Sequence, residues 1–208
     1  MRYILWFFIL AIWVVVAGVF HYTLPQRDIV RIVNTYEERQ ELGDWTRMFW
    51  SIPDDQSEGL INRDVQFIQT VRADGAPMVY RNEDTGWSWP PYFKFDTANL
   101  YTEANDAKST KANPQWYLLK HYGWRNEFLS IFPNAVSVRV VDGPDASKGI
   151  PFLNIIILTL FAAVVYAIWV RWRRFKRARI DPTLERLEDD IAEKQGRFAR
   201  WRAGRKTK

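Results

Sequence analysis

The sequence predicts a membrane protein in which two transmembrane helices flank a small, mostly β, barrel-like extracytoplasmic domain, followed by a cytoplasmic amphipathic helix. Three observations predict this fold class. Apolar runs of roughly 20 residues, the length of a helix that crosses a bilayer, lie near the start of the chain and from Ile150 onward. The segment 171–179 directly behind the second run is strongly basic. Between the runs, β-branched and aromatic residues alternate with polar ones, as in half-buried strands.

The first apolar run extends from Ile4 to Phe20 and follows Arg2. A secretory signal peptide is the alternative interpretation, with residues 15–17 as a weak cleavage site. Because the run stays apolar to its end and contains two bulky tryptophans, we predict an uncleaved transmembrane helix over residues 1–22.

Charge is distributed unevenly along the chain. Residues 22–149 contain 14 Lys or Arg and 18 Asp or Glu, a net charge of −4, whereas residues 170–208 contain 14 against 6, a net charge of +8. Positive charge near membrane spans marks the cytoplasmic side. We therefore predict a second span over 150–172, a basic cytoplasmic tail over 173–208, both termini in the cytoplasm and residues 22–149 in the periplasm of a bacterial inner membrane.

The basic excess is interpreted as a signal for membrane orientation and for contact with lipid, not with nucleic acid. Anionic lipid headgroups are the expected ligands of the tail. The residues predicted to contact them are Arg171, Arg173, Arg174, Lys176, Arg177 and Arg179.

The predicted periplasmic domain, residues 23–149, contains about five short strands. Asp74-Gly75 lies between two apolar runs and predicts a tight hairpin. Val65 and Phe67 point to one face of a strand and Ile68 to the other, so both faces are partly apolar, which favours a curled sheet or barrel. A helical turn is expected over 97–104. The strands are predicted near 29–36, 65–71, 78–80, 116–124 and 136–140.

An aromatic segment, Trp87–Phe93, interrupts the predicted strands and contains two prolines. It is either a loop folded over one end of the barrel or an interface anchor, since exposed Trp and Tyr contact partner proteins and membrane headgroups. We predict partner contacts for its four aromatic residues and for two tryptophans further upstream, which alternatively form an amphipathic turn on the membrane. These residues are Trp87, Trp89, Tyr92, Phe93, Trp45 and Trp50.

The tail contains a second helix signal. Asp181-Pro182 is typical of a helix start, with a capping side chain followed by proline at the first helical position. Apolar residues then follow at a and d spacing, which predicts an amphipathic helix over 182–203. The sequence leaves open whether this helix packs on a partner, packs on anionic lipid or is free.

The stretch from Tyr122 to Val136 reads YGWRNEFLSIFPNAV. It resembles the end of a small β-barrel domain found in short bacterial and phage proteins. Up to about residue 175 the chain also resembles an uncharacterised bacterial family of two-pass inner-membrane proteins. The resemblance implies the fold and the topology, and no activity. Within the motif, Gly123 is expected to allow a bulge or a close backbone approach, and Pro133-Asn134 to turn the chain into the last strand.

Residues that would carry chemistry are few. The chain has no cysteine, which excludes disulfides, thiolate catalysis, iron–sulfur clusters and thioether-linked haem. His21 and His121 are far apart, and each is expected at an interface or on the surface. Phosphate-binding loops, nucleophile elbows and metal-binding histidine spacings do not occur. We predict no enzymatic activity, no cofactor and no metal.

The function expected from these observations is that of a non-catalytic accessory or scaffold subunit of a bacterial inner-membrane complex, for example an energy-transducing one. Its partners would be integral membrane proteins, contacted through the periplasmic domain and the helices. The alternative is an envelope sensor or assembly factor that binds a periplasmic ligand and relays it through the cytoplasmic helix. An envelope enzyme with an unfamiliar carboxylate site is the third hypothesis.

Overall fold

A computed structural model describes residues 2–41 and 62–180, together with Ile191 and Gly196. Trp45 and Trp50 lie outside the described residues. The helix predicted over 182–203 also lies outside them, except for Ile191 and Gly196, which are helical. The elements are α1 (Arg2–Thr23), β1 (Gln26–Glu41), β2 (Asn62–Arg72), β3 (Pro77–Asn82), α2 (Thr97–Asp106), β4 (Trp116–Tyr122), β5 (Asn134–Val141) and α3 (Phe152–Phe175), with a π-helical turn over Lys176–Ile180.

The five strands form a closed barrel in the order β1-β2-β3-β5-β4. Neighbouring strands are antiparallel, except that β3 and β5 pair in parallel at Arg81 and Asn134. The fourth strand pairs with the first part of β1, at Gln26–Val30, which closes the barrel. Helix α2 lies between β3 and β4 in the chain. This arrangement is a five-stranded Greek-key barrel of the OB-fold type, and it confirms the predicted barrel-like region between two apolar helices.

The hairpin between β2 and β3 follows the predicted turn. Asp74 accepts a hydrogen bond from the backbone N–H of Ala76 at 2.9 Å, and Gly75 adopts a φ of +84° that a side chain would disfavour. Val71 therefore pairs with Pro77, and the register continues to Gln66 opposite Asn82. The Asp-Gly prediction is confirmed.

The interior of the barrel is filled by apolar side chains from all five strands and from α2. Asp96 caps the N-terminus of α2 by accepting hydrogen bonds from the N–H groups of Ala98 and Asn99. The helix then buries its apolar face against the strands. The interior cluster consists of Val30, Ile32, Ile68, Tyr80, Leu100, Ala104, Ala107, Tyr117, Leu119 and Ala135.

A second apolar cluster lies on the outer face of the same sheet. Because side chains alternate along a strand, Phe67 faces away from its interior neighbour Ile68. Phe67 stacks on Tyr36 with ring centroids 5.1 Å apart and meets Phe132 edge-on at 5.0 Å. The segment that joins β4 to β5 thus folds back over the outer face of β2, and both faces of this strand are buried, as its sequence predicts.

Both outer helices are long and apolar enough to cross a membrane, and none of their residues is buried. The chain divides into two units, residues 1–150 and 151–208, so α1 belongs with the barrel. In the second unit, the guanidinium of Arg173 lies 4.8 Å from the centre of the Trp169 ring. The basic side chains predicted to meet lipid are all exposed, namely Arg171, Arg173, Arg174, Lys176, Arg177 and Arg179.

The last strand and the turn before it pack on the barrel in different ways. In β5, Val140 is 70% exposed, because only the first part of the strand packs on the interior cluster. Arg125 lies just before the turn over 127–130, between β4 and β5. It donates to the carbonyl oxygen of Ile131 at 3.1 Å and lies over the Phe132 ring, so it stabilises this turn.

We predict that Phe67→Ala destabilises the barrel by about 3–5 kcal/mol, because it removes a buried ring from the outer cluster. The matched control is Phe128→Ala, since Phe128 is 94% exposed and its loss is expected to cost about 0.5 kcal/mol or less. Urea unfolding of the full chain in mild detergent, followed by tryptophan fluorescence, measures both. Equal effects would show that the outer cluster contributes nothing to stability.

Candidate functional site

The end of α1 is attached to the barrel by specific hydrogen bonds. The N–H of Gly123 donates to the carbonyl oxygen of Tyr22 at 2.9 Å, and the Tyr92 hydroxyl donates to the carbonyl oxygen of Thr23 at 2.6 Å. The indole N–H of Trp124 donates to Nδ1 of His21 at 2.8 Å. The first two bonds satisfy carbonyls that the end of a helix leaves without intrahelical partners, and the third holds the His21 side chain. We call this contact region the joint.

A buried arginine lies at the centre of the joint. Arg81, on the outer face of β3, is 2% exposed, and its guanidinium is 3.0 Å from the carboxylate of Glu83. It also hydrogen-bonds to the side chains of Tyr22 and Tyr122. An arginine remains protonated in proteins, so a positive charge is enclosed between a strand of the barrel and the last turn of α1.

Burial lowers the pKa of Arg81, and the Tyr122 and Tyr22 hydroxyls oppose that change. Leaving a buried cation without partners costs several kcal/mol. Because Tyr22 supplies part of the solvation that Arg81 loses, the orientation of α1 and the stability of the barrel are coupled.

Asparagine 134 extends this network inside the barrel wall. Its side-chain amide donates to the backbone oxygen of Glu83 and to the Tyr122 hydroxyl, each at 3.0 Å, and its side-chain oxygen accepts from the Glu83 N–H at 3.0 Å. Asn134 is also the first residue of β5, as the Pro133-Asn134 turn predicted. The parallel pairing of β3 with β5 is therefore fixed by a side chain as well as by the backbone.

Stacked aromatic rings continue the joint outward. Tyr22 meets Trp124 edge-on at 5.4 Å and Tyr122 at 6.3 Å, and Tyr122 stacks on Tyr92 at 4.6 Å. Tyr92 is half-buried, and burial raises its pKa. Of the aromatic residues predicted to contact partners, Tyr92 thus faces the molecule itself.

The other predicted aromatic residues of this segment remain on the surface. Trp87 and Trp89 are each 73% exposed, and Phe93 is 54% exposed. The structure brings Trp87 and Phe93 together, with ring centroids 5.4 Å apart. Their contact with a partner stays a prediction.

Lys94 fastens the base of the aromatic segment to the barrel. Its ammonium group donates to the Asn82 side-chain oxygen and to the Ala135 carbonyl oxygen, the latter at 2.9 Å. Its backbone oxygen accepts from the N–H groups of Thr85 and Gly86, each at 3.0 Å. Burial lowers the pKa of Lys94 to about 7, and the nearby carboxylate of Asp84 only partly offsets this.

His121 was expected at an interface or on the surface, and this prediction is wrong. It is 3% exposed inside the barrel, with its Nε2 3.2 Å from Asp28 and its ring 5.0 Å from that of Tyr80. Burial alone would raise the pKa of Asp28, but hydrogen bonds with His121 and Tyr80, helped by the charge of Lys148, hold it well below its ordinary value. The reason is topological, since β4 closes against β1 and turns His121 inward.

The segment that leaves the barrel is held beside the one that enters it. Arg27 donates to the carbonyl oxygen of Lys148 at 2.7 Å, and the Lys148 ammonium lies 3.3 Å from Asp28. Arg27 also approaches the carbonyl oxygen of Ile150 at 3.5 Å. The chain therefore enters and leaves the barrel at one place. Among residues 2–41 and 62–180, no group of three His, Asp or Glu side chains is placed to hold a metal ion.

Comparison with known proteins assigns the chain to a family. The family described as "Protein of unknown function (DUF1523)" matches residues 1–176. The chain belongs to this family. It is also 34% identical over 154 residues to an "Uncharacterized protein" of Haemophilus influenzae strain Rd, covering 72% of this chain and 80% of that relative. No solved structure matches the chain.

For this DUF1523 member, sequence reasoning missed the residues that form the joint. Tyr22, Arg81 and Asn134 come from three distant parts of the chain, and no local pattern connects them. One signal was available, because Gly123 was predicted to allow a close backbone approach. Its φ of +94° and its hydrogen bond to Tyr22 confirm that prediction.

We predict that Gly123→Asp unfolds the joint and destabilises the barrel by several kcal/mol. A Cβ at this buried position would already contact Pro133 at 3.4 Å and the Tyr22 ring at 3.6 Å, so the carboxylate would be enclosed without a partner. Gly75→Asp is the matched control, because Gly75 also has a positive φ but nothing lies within 4 Å of its Cβ. It is expected to cost about 1–2 kcal/mol at most. Limited proteolysis of both variants measures the difference, and equal protease resistance would contradict a close approach at Gly123.

A second prediction concerns pH. The ordinary lysine pKa of 10.5 falls to about 7 for Lys94 in the folded chain. Between these values the unfolded state binds more protons, so the free energy of unfolding rises with pH. We expect a gain of about 2 kcal/mol between pH 7 and pH 9, below the range in which tyrosines ionise.

The test of this pH dependence is urea unfolding of the full chain at several pH values. Lys94→Met should flatten the slope, leaving a small remainder from Lys120, whose pKa burial also lowers. Lys111→Met, at an exposed position, should leave the slope unchanged. An equally steep slope in Lys94→Met would assign the effect to another group.

Proposed function

We propose that this chain is a non-catalytic accessory or scaffold subunit of a bacterial inner-membrane protein complex. In this proposal α1 and α3 anchor it in the membrane, and the joint presents the barrel on the periplasmic side at a fixed height and orientation. The joint is the observation that carries the proposal. A barrel that only needed a tether would not require a buried arginine shared with the anchoring helix.

Helix length and charge support the membrane placement. At 1.5 Å per residue, the 22 residues of α1 extend about 33 Å, close to the thickness of a bilayer's hydrocarbon core. Arg2 lies at the start of α1, and the basic residues 171–179 lie at the end of α3 and in the turn behind it. If these ends face the cytoplasm, as positive charge favours, the barrel is periplasmic and the basic turn meets anionic headgroups.

The environment of the ionisable groups favours a contact role over catalysis. Arg81 pairs with Glu83, and His121 with Asp28, and each pair is enclosed by the barrel or by α1. Exposed apolar rings, by contrast, are abundant near the joint. Contact with integral membrane partners would use the unburied faces of the helices and the barrel surface. The alternative of an envelope sensor or assembly factor stays a prediction.

The proposed topology gives a direct expectation. A periplasm-active reporter fused after residue 110 should be active, and a cytoplasm-active reporter fused after residue 200 should be active, because the positive ends of both helices are retained inside. Activity of the cytoplasmic reporter at residue 110 would contradict the proposal.

The joint gives an expectation for complex formation. We expect Tyr22→Ala to lower the stoichiometry of proteins that co-purify with the full chain in mild detergent, because α1 would no longer fix the barrel. Tyr3→Ala is the matched control, since Tyr3 lies in the same helix and is 90% exposed.

Tryptophan-fluorescence melting of the same preparations separates loss of the joint from loss of the fold. Full stoichiometry in Tyr22→Ala, or a loss merely proportional to unfolded protein, would contradict the scaffold proposal. The sensor or assembly-factor alternative predicts a different result for the unaltered chain. Its co-purifying partner would be far below stoichiometric, or its amount would depend on an added ligand.

A further inference from the structure

Four aromatic residues within residues 87–95, beside the joint, have exposed rings, and we call them the aromatic patch: Trp87, Trp89, Phe93 and Phe95. Their exposed fractions are 73%, 73%, 54% and 55%. The Trp87 ring contacts Phe93 at 5.4 Å and Phe95 at 5.6 Å. Contiguous exposed apolar surface of this kind marks a contact with a protein, a ligand or a membrane.

The segment that carries the patch is held stiffly from both sides. Lys94 bonds it to β3 and β5, and Tyr92 bonds it to the end of α1. Phe93, between these two residues, has a φ of +52°, a left-handed conformation that a bulky side chain rarely adopts. The fold thus holds the Phe93 ring outward in a strained conformation, which burial in the barrel does not explain. Strain of this kind concentrates at functional contacts.

The position of the patch is set by the helix that it touches. Tyr92 donates to Thr23, the last residue of α1, so the neighbouring rings lie close to the point where α1 ends. The length of α1 matches the hydrocarbon core, which places Thr23 at the boundary between lipid and water. Lys120 lies 5.9 Å from the Tyr92 ring and brings a positive charge to the same place.

We propose that the aromatic patch inserts into the headgroup region of the bilayer that α1 crosses. Trp and other amphipathic rings favour this region, and Lys120 would face the lipid phosphates. The inference rests on the membrane anchoring of the proposed function. The sequence allows either a protein partner or lipid headgroups to contact these rings, and we choose lipid because the bond to Thr23 places them at the end of α1. The barrel is then seated on the membrane surface as well as tied to α1.

Spin labels on the full chain can test this, because the chain has no native cysteine. Ser88→Cys places a label between the two tryptophans without removing a ring. Lys111→Cys is the control, because Lys111 lies at a distance from the start of β1, where α1 ends. Its loop neighbour Ser109 donates a backbone hydrogen bond to Ile32, which is six residues along β1 from Gln26, or up to roughly 20 Å. The variants are placed in nanodiscs of phosphatidylethanolamine and phosphatidylglycerol at 3:1.

The accessibility of each label to a water-soluble nickel reagent is then compared with its accessibility to oxygen. We expect the Ser88→Cys label to be several-fold less accessible to nickel than the Lys111→Cys label. Replacing the four patch rings with serine should raise the accessibility at Ser88→Cys to the control value. Equal nickel accessibility at the two positions in the unaltered patch would overturn the proposal.

Two further results separate the possible causes of failure. A Ser88→Cys label that is accessible in nanodiscs but shielded in native membrane vesicles would assign the patch to a protein partner and overturn the lipid proposal. A Val14→Cys label, in the middle of α1, tests anchoring independently. If nickel reaches this label as readily as the Lys111→Cys label, α1 does not cross the bilayer and the proposed function itself fails.

Discussion

The structure of the first unit depends on how one buried charge is satisfied. Arg81 lies on the outer face of β3, where a barrel of this kind would normally meet water. A cation withdrawn from water needs close, well-directed partners, and removing one of them costs several kcal/mol. Glu83 directly follows β3, Tyr122 comes from β4, and Tyr22 comes from α1. The third of these makes the helix part of the domain instead of a flexible tether.

In this chain, other segments of the same chain cover part of the outer face of the barrel. In OB-folds, the face of strands 2 and 3, with its flanking loops, binds oligonucleotides and oligosaccharides. In this chain Phe132 covers the face at Phe67, and Tyr22 covers it at Arg81. The surface that other barrels offer to ligands is occupied by the chain's own segments. In our proposal, contact with other molecules therefore uses the exposed rings beside the joint and the helices.

Much of the architecture could be predicted because it depends on local patterns. Run length identified the two apolar helices, alternation identified the strands, and Asp74-Gly75 identified the hairpin. Closure of the barrel could not be predicted in detail, because it depends on the pairing of β4 with β1, and that pairing turned His121 inward to Asp28.

The joint was beyond sequence reasoning for a related reason. In the sequence, Arg81 looks like an ordinary solvent-facing strand residue, because only the packing of α1 on the outer face of the barrel buries it. The aromatic segment was identified, but its division into Tyr92, which faces inward, and the exposed rings around it follows only from the bond to Thr23.

The central claim is that the joint holds the barrel rigidly on α1. Double electron–electron resonance between spin labels at Val14→Cys in α1 and Lys111→Cys in the barrel, on the full chain in nanodiscs, tests it most directly. The account predicts one narrow distance distribution that broadens when Tyr22→Ala is added. A broad distribution in the unaltered joint, no narrower than that of the Tyr22→Ala variant, would contradict it.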